Sequence, residues 1–272
     1  MTRKTILLLA AVFAATCAVT RKAILTATAA APLTFTAPAQ AGTFDHSHAA
    51  FTAVLQATVA NERVNYDAMK KNPAPLEAYL GSLAAVNEKE FGSWSRDQRL
   101  AFLINLYNAA TLKLVVQNYP IKSIKKIGNL IQGPWDQAVV PLFGKTVTLK
   151  YIEHELIRPR YAEPRVHFAL VCAALGCPPL RAEAFAADRL GAQMDEQGRR
   201  FLTTPGKNRV EAAAGVLYLS PIFDWFSKDF TDQAGSVEKF VAPYFPEADR
   251  PSILSGKLKV KFTGYDWSLN KQ

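Results

Sequence analysis

The stretch from Ser95 to Asn118 constrains the fold more than any other part of the chain. Leu100, Leu103, Ile104, Tyr107, Ala110, Thr111, Leu114 and Val115 recur at helical spacing, and that much apolar surface on one helix has to be covered by protein. Ser95 followed by Gln98 has the pattern of a capping box, and Pro120 stops the run;. The rest of the chain is therefore expected to pack around this helix. With 49% of its residues apolar, the chain has enough material to do so;.

The flanking patterns supply that cover. Phe51, Val54, Leu55 and Val59 predict a helix that closes at Asn61 to Arg63, followed by a short extended piece at Val64 to Tyr66. Pro73 and Pro75 introduce a second helix carrying Leu76, Tyr79, Leu80 and Leu83 on one face;. A hairpin is expected over Val139 to Val147, then a helix capped by Thr148 and running through Arg158;. Arg165 to Cys172 reads equally as a strand or as a helix start. Helix is expected at 183–202, strands at Asn208–Ala212 and Val216–Leu219, a helix start at Ser220-Pro221, a last helix near 236–244 and an edge strand at 258–262. The fold class is mainly helical α+β, with one long central buried helix and a small antiparallel sheet.

Residues 1–41 read as a signal peptide. Arg3 and Lys4 precede an apolar run from Ile6 to Val19, and Ala39-Gln40-Ala41 before Gly42 is a small-x-small cleavage signature;. Arg21 and Lys22 restart the basic-then-apolar pattern, so the segment is longer than usual. The expected organisation is a signal peptide at 1–41 and a single globular domain at 42–272, periplasmic or secreted, with no stable membrane span once the signal is cleaved.

Loss of Arg3, Lys4, Arg21 and Lys22, with no acid, lowers the formal charge from +9 by four. No run of Lys or Arg beyond Gly42 exceeds two residues, so no nucleic-acid partner is expected. No cofactor is expected: glycine-rich phosphate loops, Gly-x-Ser-x-Gly and HExxH are absent;. His46-Ser47-His48 falls short of the three or four ligands that zinc needs, so no metal is expected.

Four clusters remain that are able to carry chemistry. Asn105 and Asn108 share one helical face with Tyr107 beside them, either bracing the core or orienting something polar. Gly133-Pro134-Trp135-Asp136 lies in a breaker-rich loop. His154 sits between Glu153 and Glu155, which favours its charged form. The last runs from Arg165 and His167 through Cys172 and Cys177 to Pro178-Pro179-Leu180-Arg181. It delivers one cysteine to a small-residue turn and a second just beyond it. That pair is open to three readings: a nucleophile, an inert packed thiol, or a disulfide.

Taken in order, Phe102 to Ala109, Pro134-Trp135-Asp136, Ile152-Glu153-His154 and His167 to Cys172 with Gly176 to Leu180 resemble bacterial members of the domain-of-unknown-function 547 family. Leu219 to Phe226 and Tyr265 to Asn270 extend the resemblance. It implies no reaction. It does imply that Cys172, rather than Cys177, is the special thiol, because plant relatives keep a cysteine at Cys172 and have Ser-Ser-Pro-like residues at Gly176-Cys177-Pro178. Plant sequences vary around His154.

Two functions fit the residues. One is a cysteine-dependent hydrolase or acyl transferase acting on amide or peptide substrates, with Cys172 as nucleophile, His154 as base and Asn105 as orienter. Asn108, Tyr107, Trp135 and Asp136 would contact substrate, and His167, Cys177 and Arg181 are held in reserve. The other is a non-catalytic periplasmic binding or scaffold domain for a peptide or small molecule.

Overall fold

The capping box forms as read. In the computed structural model, which describes residues 44–272, Ser95 Oγ accepts from the backbone of Gln98, whose side chain accepts from the backbone of Ser95. Residues 1–41, and with them the signal-peptide reading, lie outside the described part. Four helices precede the box: α1 (Ala49–Thr58), α2 (Tyr66–Lys71), α3 (Ala74–Ala85) and α4 (Glu88–Ser93). The box opens α5 (Arg96–Asn118), in which every residue from Leu100 to Leu112 is buried. Among the described residues this is the one helix long and apolar enough to cross a membrane, and it lies inside the protein.

Two short antiparallel pairs flank the helices, β1 (Val59–Ala60) with β2 (Arg63–Val64), and β3 (Ala138–Leu142) with β4 (Lys145–Thr148). The third sheet has the order β5 (Arg209–Glu211), β6 (Val216–Leu219), β7 (Lys259–Phe262). Its first pair is antiparallel, and the expected edge strand β7 joins β6 in parallel. The architecture is the mainly helical α+β class.

Thr148 caps the next helix as expected, but the helix is not uniform. A short α6 (Leu149–Tyr151) passes into a π-helical stretch, Ile152–Ile157, before α7 (Arg158–Tyr161). Such wider turns rotate the side chains that follow and often mark functional sites. The undecided segment 165–172 resolves as one helical turn, α8 (Val166–Ala169), and then extended chain.

Helix was expected from 183, yet α9 spans Leu190–Leu202. Side-chain amides hold 184–186 in another shape. Asn105 bonds both the N–H and the carbonyl of Phe185, at 3.0 and 2.7 Å. Gln193 does the same for Ala186 N–H and Ala184 carbonyl, at 2.9 Å each. Beyond β6 come α10 (Ile222–Trp225), α11 (Ser227–Ala234), α12 (Val237–Val241) and α13 (Arg250–Leu254).

The apolar interior has two parts. One surrounds α5; the other gathers Phe168, Phe201, Phe223, Phe230 and Phe240. The backbone crosses from one to the other between Phe168 and Ala169, and Tyr265 packs against both. That seam holds the site.

Candidate functional site

Segment 169–177 is fastened from both sides. On the α5 side, the Asn108 side chain donates to the Ala169 carbonyl and accepts from Val171 N–H, each at 2.9 Å. On the other side lies the C-terminal segment, where Leu175 N–H donates to Ser268, Gly176 N–H to Asp266, and Asn270 N–H to Ala173. Gly176 is required here, because a Cβ would lie 2.9 Å from both Asp266 N and the Tyr265 ring. Between the two fastenings Ala173 adopts φ 59°, a left-handed conformation that costs a residue with a side chain of order 1–3 kcal/mol;. Strain of this kind, immediately after a half-buried cysteine, holds the thiol at a sharp corner of the chain.

The corner opens into a cavity of ≈ 210 Å³ whose lining includes Tyr107, Trp135, Glu153, His154, His167, Cys172 and Cys177. Trp225, Phe226, Tyr265 and Trp267 complete an aromatic wall. Trp225 stacks on Trp267 at 5.9 Å, and Tyr265 lies 4.6 Å from Trp267.

Cys172 and Cys177 are free thiols. The Cys172 N–H donates to Cys177 Sγ at 3.0 Å, and Tyr265 Oη lies 3.1 Å from Cys172 Sγ. Hydrogen bonding from Cys177, and then from Tyr265, holds the Cys172 thiol below its ordinary range against the opposing effect of burial. Burial pushes Cys177 well up. The two thiols thus differ, and Cys172 is the one poised to ionise.

The helical turn at 166–169 lets His167 and Cys172 line one cavity, although an extended chain would have pointed them apart;. His167 Nε2 faces Asp229 Oδ2 at 2.8 Å, its ring stacked 4.0 Å from Phe226. Arg158 grips the same carboxylate at 2.7 and 2.9 Å. Burial works against ionisation of Asp229, but the bonds from His167 and Arg158 hold it well below the usual carboxylate range. Burial also lowers His167, so its imidazole is neutral near pH 7. With Nε2–H given to Asp229, Nδ1 carries the lone pair of a base.

His154, the base expected from sequence, is placed differently. It lines the cavity, but its Nδ1 faces the Arg158 guanidinium at 2.7 Å. Burial, then Arg158, lowers its proton affinity. A ring nitrogen that accepts from a guanidinium has no lone pair left for a thiol proton. Asn105 is also corrected: both of its amide groups are used on Phe185, so it braces the 183–189 loop and orients no histidine.

The residues expected to touch substrate divide. Tyr107 and Trp135 line the cavity, joined by a bond from Trp135 Nε1 to Tyr107 Oη at 3.1 Å. Asn108 clamps the cysteine segment instead. Asp136 accepts from Gly133 N–H and faces Lys150, away from the cavity. Arg181 is buried against Glu183, Glu196 and Gln197, tying the 181–189 loop to α9.

Glu153 was not singled out in the sequence as a site residue. The π-helical stretch turns it inward, where Tyr107 Oη lies 3.3 Å from its carboxylate, and burial raises its pKa to about 7. Asp229, Tyr265, Trp225 and Trp267 were also missed. Among the described residues no cluster of three metal-ligating side chains forms.

The thiol held below its ordinary pKa and the imidazole of the His167–Asp229 pair line one cavity, and groups of these kinds are the ones from which a nucleophilic cysteine site can be built;. The model of the family described as protein of unknown function, DUF547, matches residues 91–202, and over this segment the chain is similar to that family. The matched segment holds Cys172, His167, Glu153 and Tyr107, whereas Asp229 and Tyr265 lie beyond it. No curated protein and no solved structure matches the chain.

Proposed function

We propose that the chain is a cysteine-dependent acyl-transfer enzyme, a hydrolase or transferase acting on an amide or ester, with Cys172 as nucleophile, His167 as base and Asp229 as orienter. The observation that carries this reading is that His167, paired with Asp229, lines the cavity that holds Cys172. In the reaction, His167 Nδ1 takes the thiol proton as the sulfur bonds to the substrate carbonyl carbon, and the carbonyl π electrons move onto oxygen. The Tyr265 hydroxyl, 3.1 Å from the sulfur, would donate to the oxyanion;. Collapse expels the amine or alkoxide, which leaves with the imidazolium proton. Water, deprotonated by His167, or an acceptor amine or alcohol then cleaves the thioester and restores the thiol.

Residues 1–41 carry the sequence signature of export, which would place this chemistry outside the cytoplasm. The aromatic wall favours an apolar acyl group.

The test uses p-nitrophenyl esters of graded acyl length, with the protein followed by intact mass. An acyl adduct on Cys172, absent in Cys172→Ala, is the expected result. No adduct, and no turnover above that of Cys172→Ala, would leave the cavity as that of a binding domain.

A further inference from the structure

The loop that leads into Trp135 carries the most exposed apolar residues among those described. Leu130 and Ile131 are 106% and 92% exposed. They are presented, not merely left over. Asn129 Oδ1 accepts from Ile131 N–H and Gln132 N–H, Asn129 N–H donates to the Gln132 carbonyl, and Gln137 bonds the Gln132 and Gly133 carbonyls. Gly128 has φ +101°, and a Cβ there would lie 2.1 Å from the Gln132 oxygen. The turn is closed so that both apolar side chains point outward.

The chain leading into the turn carries one sign of charge. Lys122, Lys125 and Lys126 are exposed on the chain just before the turn, and no acid occurs between Asp97 and Asp136. Lys125 Nζ lies 4.7 Å over the ring of Trp267, so the basic collar reaches the aromatic wall of the cavity.

We propose that this loop docks the protein on an anionic lipid surface, with Leu130 and Ile131 inserted below the headgroups and the lysines on the phosphates. A bilayer fits better than a protein partner. A stable protein interface needs roughly 800 Å² from each side, whereas two side chains at the tip of a turn offer depth rather than area. A lysine collar around an apolar tip also matches the negative charge and apolar interior of a membrane. Docking this way sets the Trp135–Trp267 side of the cavity at the lipid surface. The proposal stands independently of the acyl-transfer reading.

The experiment is co-sedimentation of the chain, as the cell produces it, with vesicles of phosphatidylcholine alone or mixed with phosphatidylglycerol. Binding to the mixed vesicles is expected, weakened about tenfold or more in Leu130→Glu/Ile131→Glu and in Lys122→Glu/Lys126→Glu. All four side chains are exposed, so thermal midpoints should match the parent and exclude misfolding. Equal binding to neutral and anionic vesicles overturns the proposal. So does binding retained by the Leu130/Ile131 variant, through residues 1–41 or any other part. Failure of the parent to bind either vesicle overturns it in favour of a protein partner.

Discussion

His167 and Asp229, 62 residues apart in the chain, meet at 2.8 Å, and His167 lines the cavity that holds Cys172. The carboxylate gives the imidazole its tautomer and Arg158 holds the carboxylate in place. Asp229→Asn keeps an oxygen for Nε2–H and loses the charge, whereas Asp229→Ala loses both. Acylation of Cys172 should therefore fall further in Asp229→Ala than in Asp229→Asn, by about 10²-fold or more for the alanine. Single-turnover rates with a p-nitrophenyl ester measure the difference. Equal losses would mean that only the charge matters.

Glu153 and His48 make opposite contributions to the pH dependence of stability. Burial lowers His48 from 6.5 to about 4. The unfolded chain then binds the extra proton first, so this contribution is complete above pH 6.5 and is lost as pH falls to 4. Burial raises Glu153 from 4.5 to about 7. The folded chain keeps that proton longer, so stability is complete below pH 4.5 and is lost as pH rises to 7. Each spans roughly 3 kcal/mol. Urea midpoints between pH 4 and 7 should rise more steeply with pH in Glu153→Gln than in the parent. They should rise less in His48→Asn, a replacement that tolerates the left-handed backbone at that position (φ 52°);. Parallel curves for parent and variants would contradict both burial arguments.

Gly176 and Tyr265 test how the thiol is tuned. Tyr265→Phe removes the hydroxyl 3.1 Å from Cys172 Sγ and keeps the ring. Gly176→Ala pushes a methyl group into Tyr265 and Asp266, moving the whole C-terminal segment off the cysteine corner. Both should raise the Cys172 pKa, read from the pH dependence of alkylation, and the glycine variant should also melt earlier. An unchanged pKa in Tyr265→Phe would remove Tyr265 from the thiolate's environment.

Leu103 is 1% exposed in the middle of α5. Leu103→Ala should cost about 2–5 kcal/mol in chemical denaturation, the range for a leucine truncated in a close-packed interior. A cost under about 0.5 kcal/mol would contradict the central place of this helix.

The sequence carried the fold wherever local chemistry decided it. The Ser95–Gln98 box, the stop at Pro120, the Thr148 cap and the β3–β4 hairpin are all set by neighbours within a few residues. The site was legible only in part. Cys172, Tyr107, Trp135 and His167 were picked out, but the partner of His167 was not, because Asp229 reaches it across 62 residues from α11. The π-helical stretch turns Glu153 inward and leaves His154 against Arg158, and no spacing rule for a regular helix anticipates that exchange. Asn105 was misread for a related reason. A buried amide announces that it needs partners, but only the fold reveals that they belong to the Phe185 backbone.

The central claim is that Cys172 is a nucleophile served by His167 and not by His154. The most direct measurement is the rate of iodoacetamide alkylation of each thiol at neutral pH, followed by peptide mass spectrometry in the parent, His167→Ala and His154→Ala. The account predicts Cys172 labelled about tenfold or more faster than Cys177, as the opposite shifts of their pKa values require;. It predicts labelling slowed about tenfold by His167→Ala and left nearly unchanged by His154→Ala. Equal rates at the two thiols, or a Cys172 rate that follows His154 and ignores His167, would contradict it.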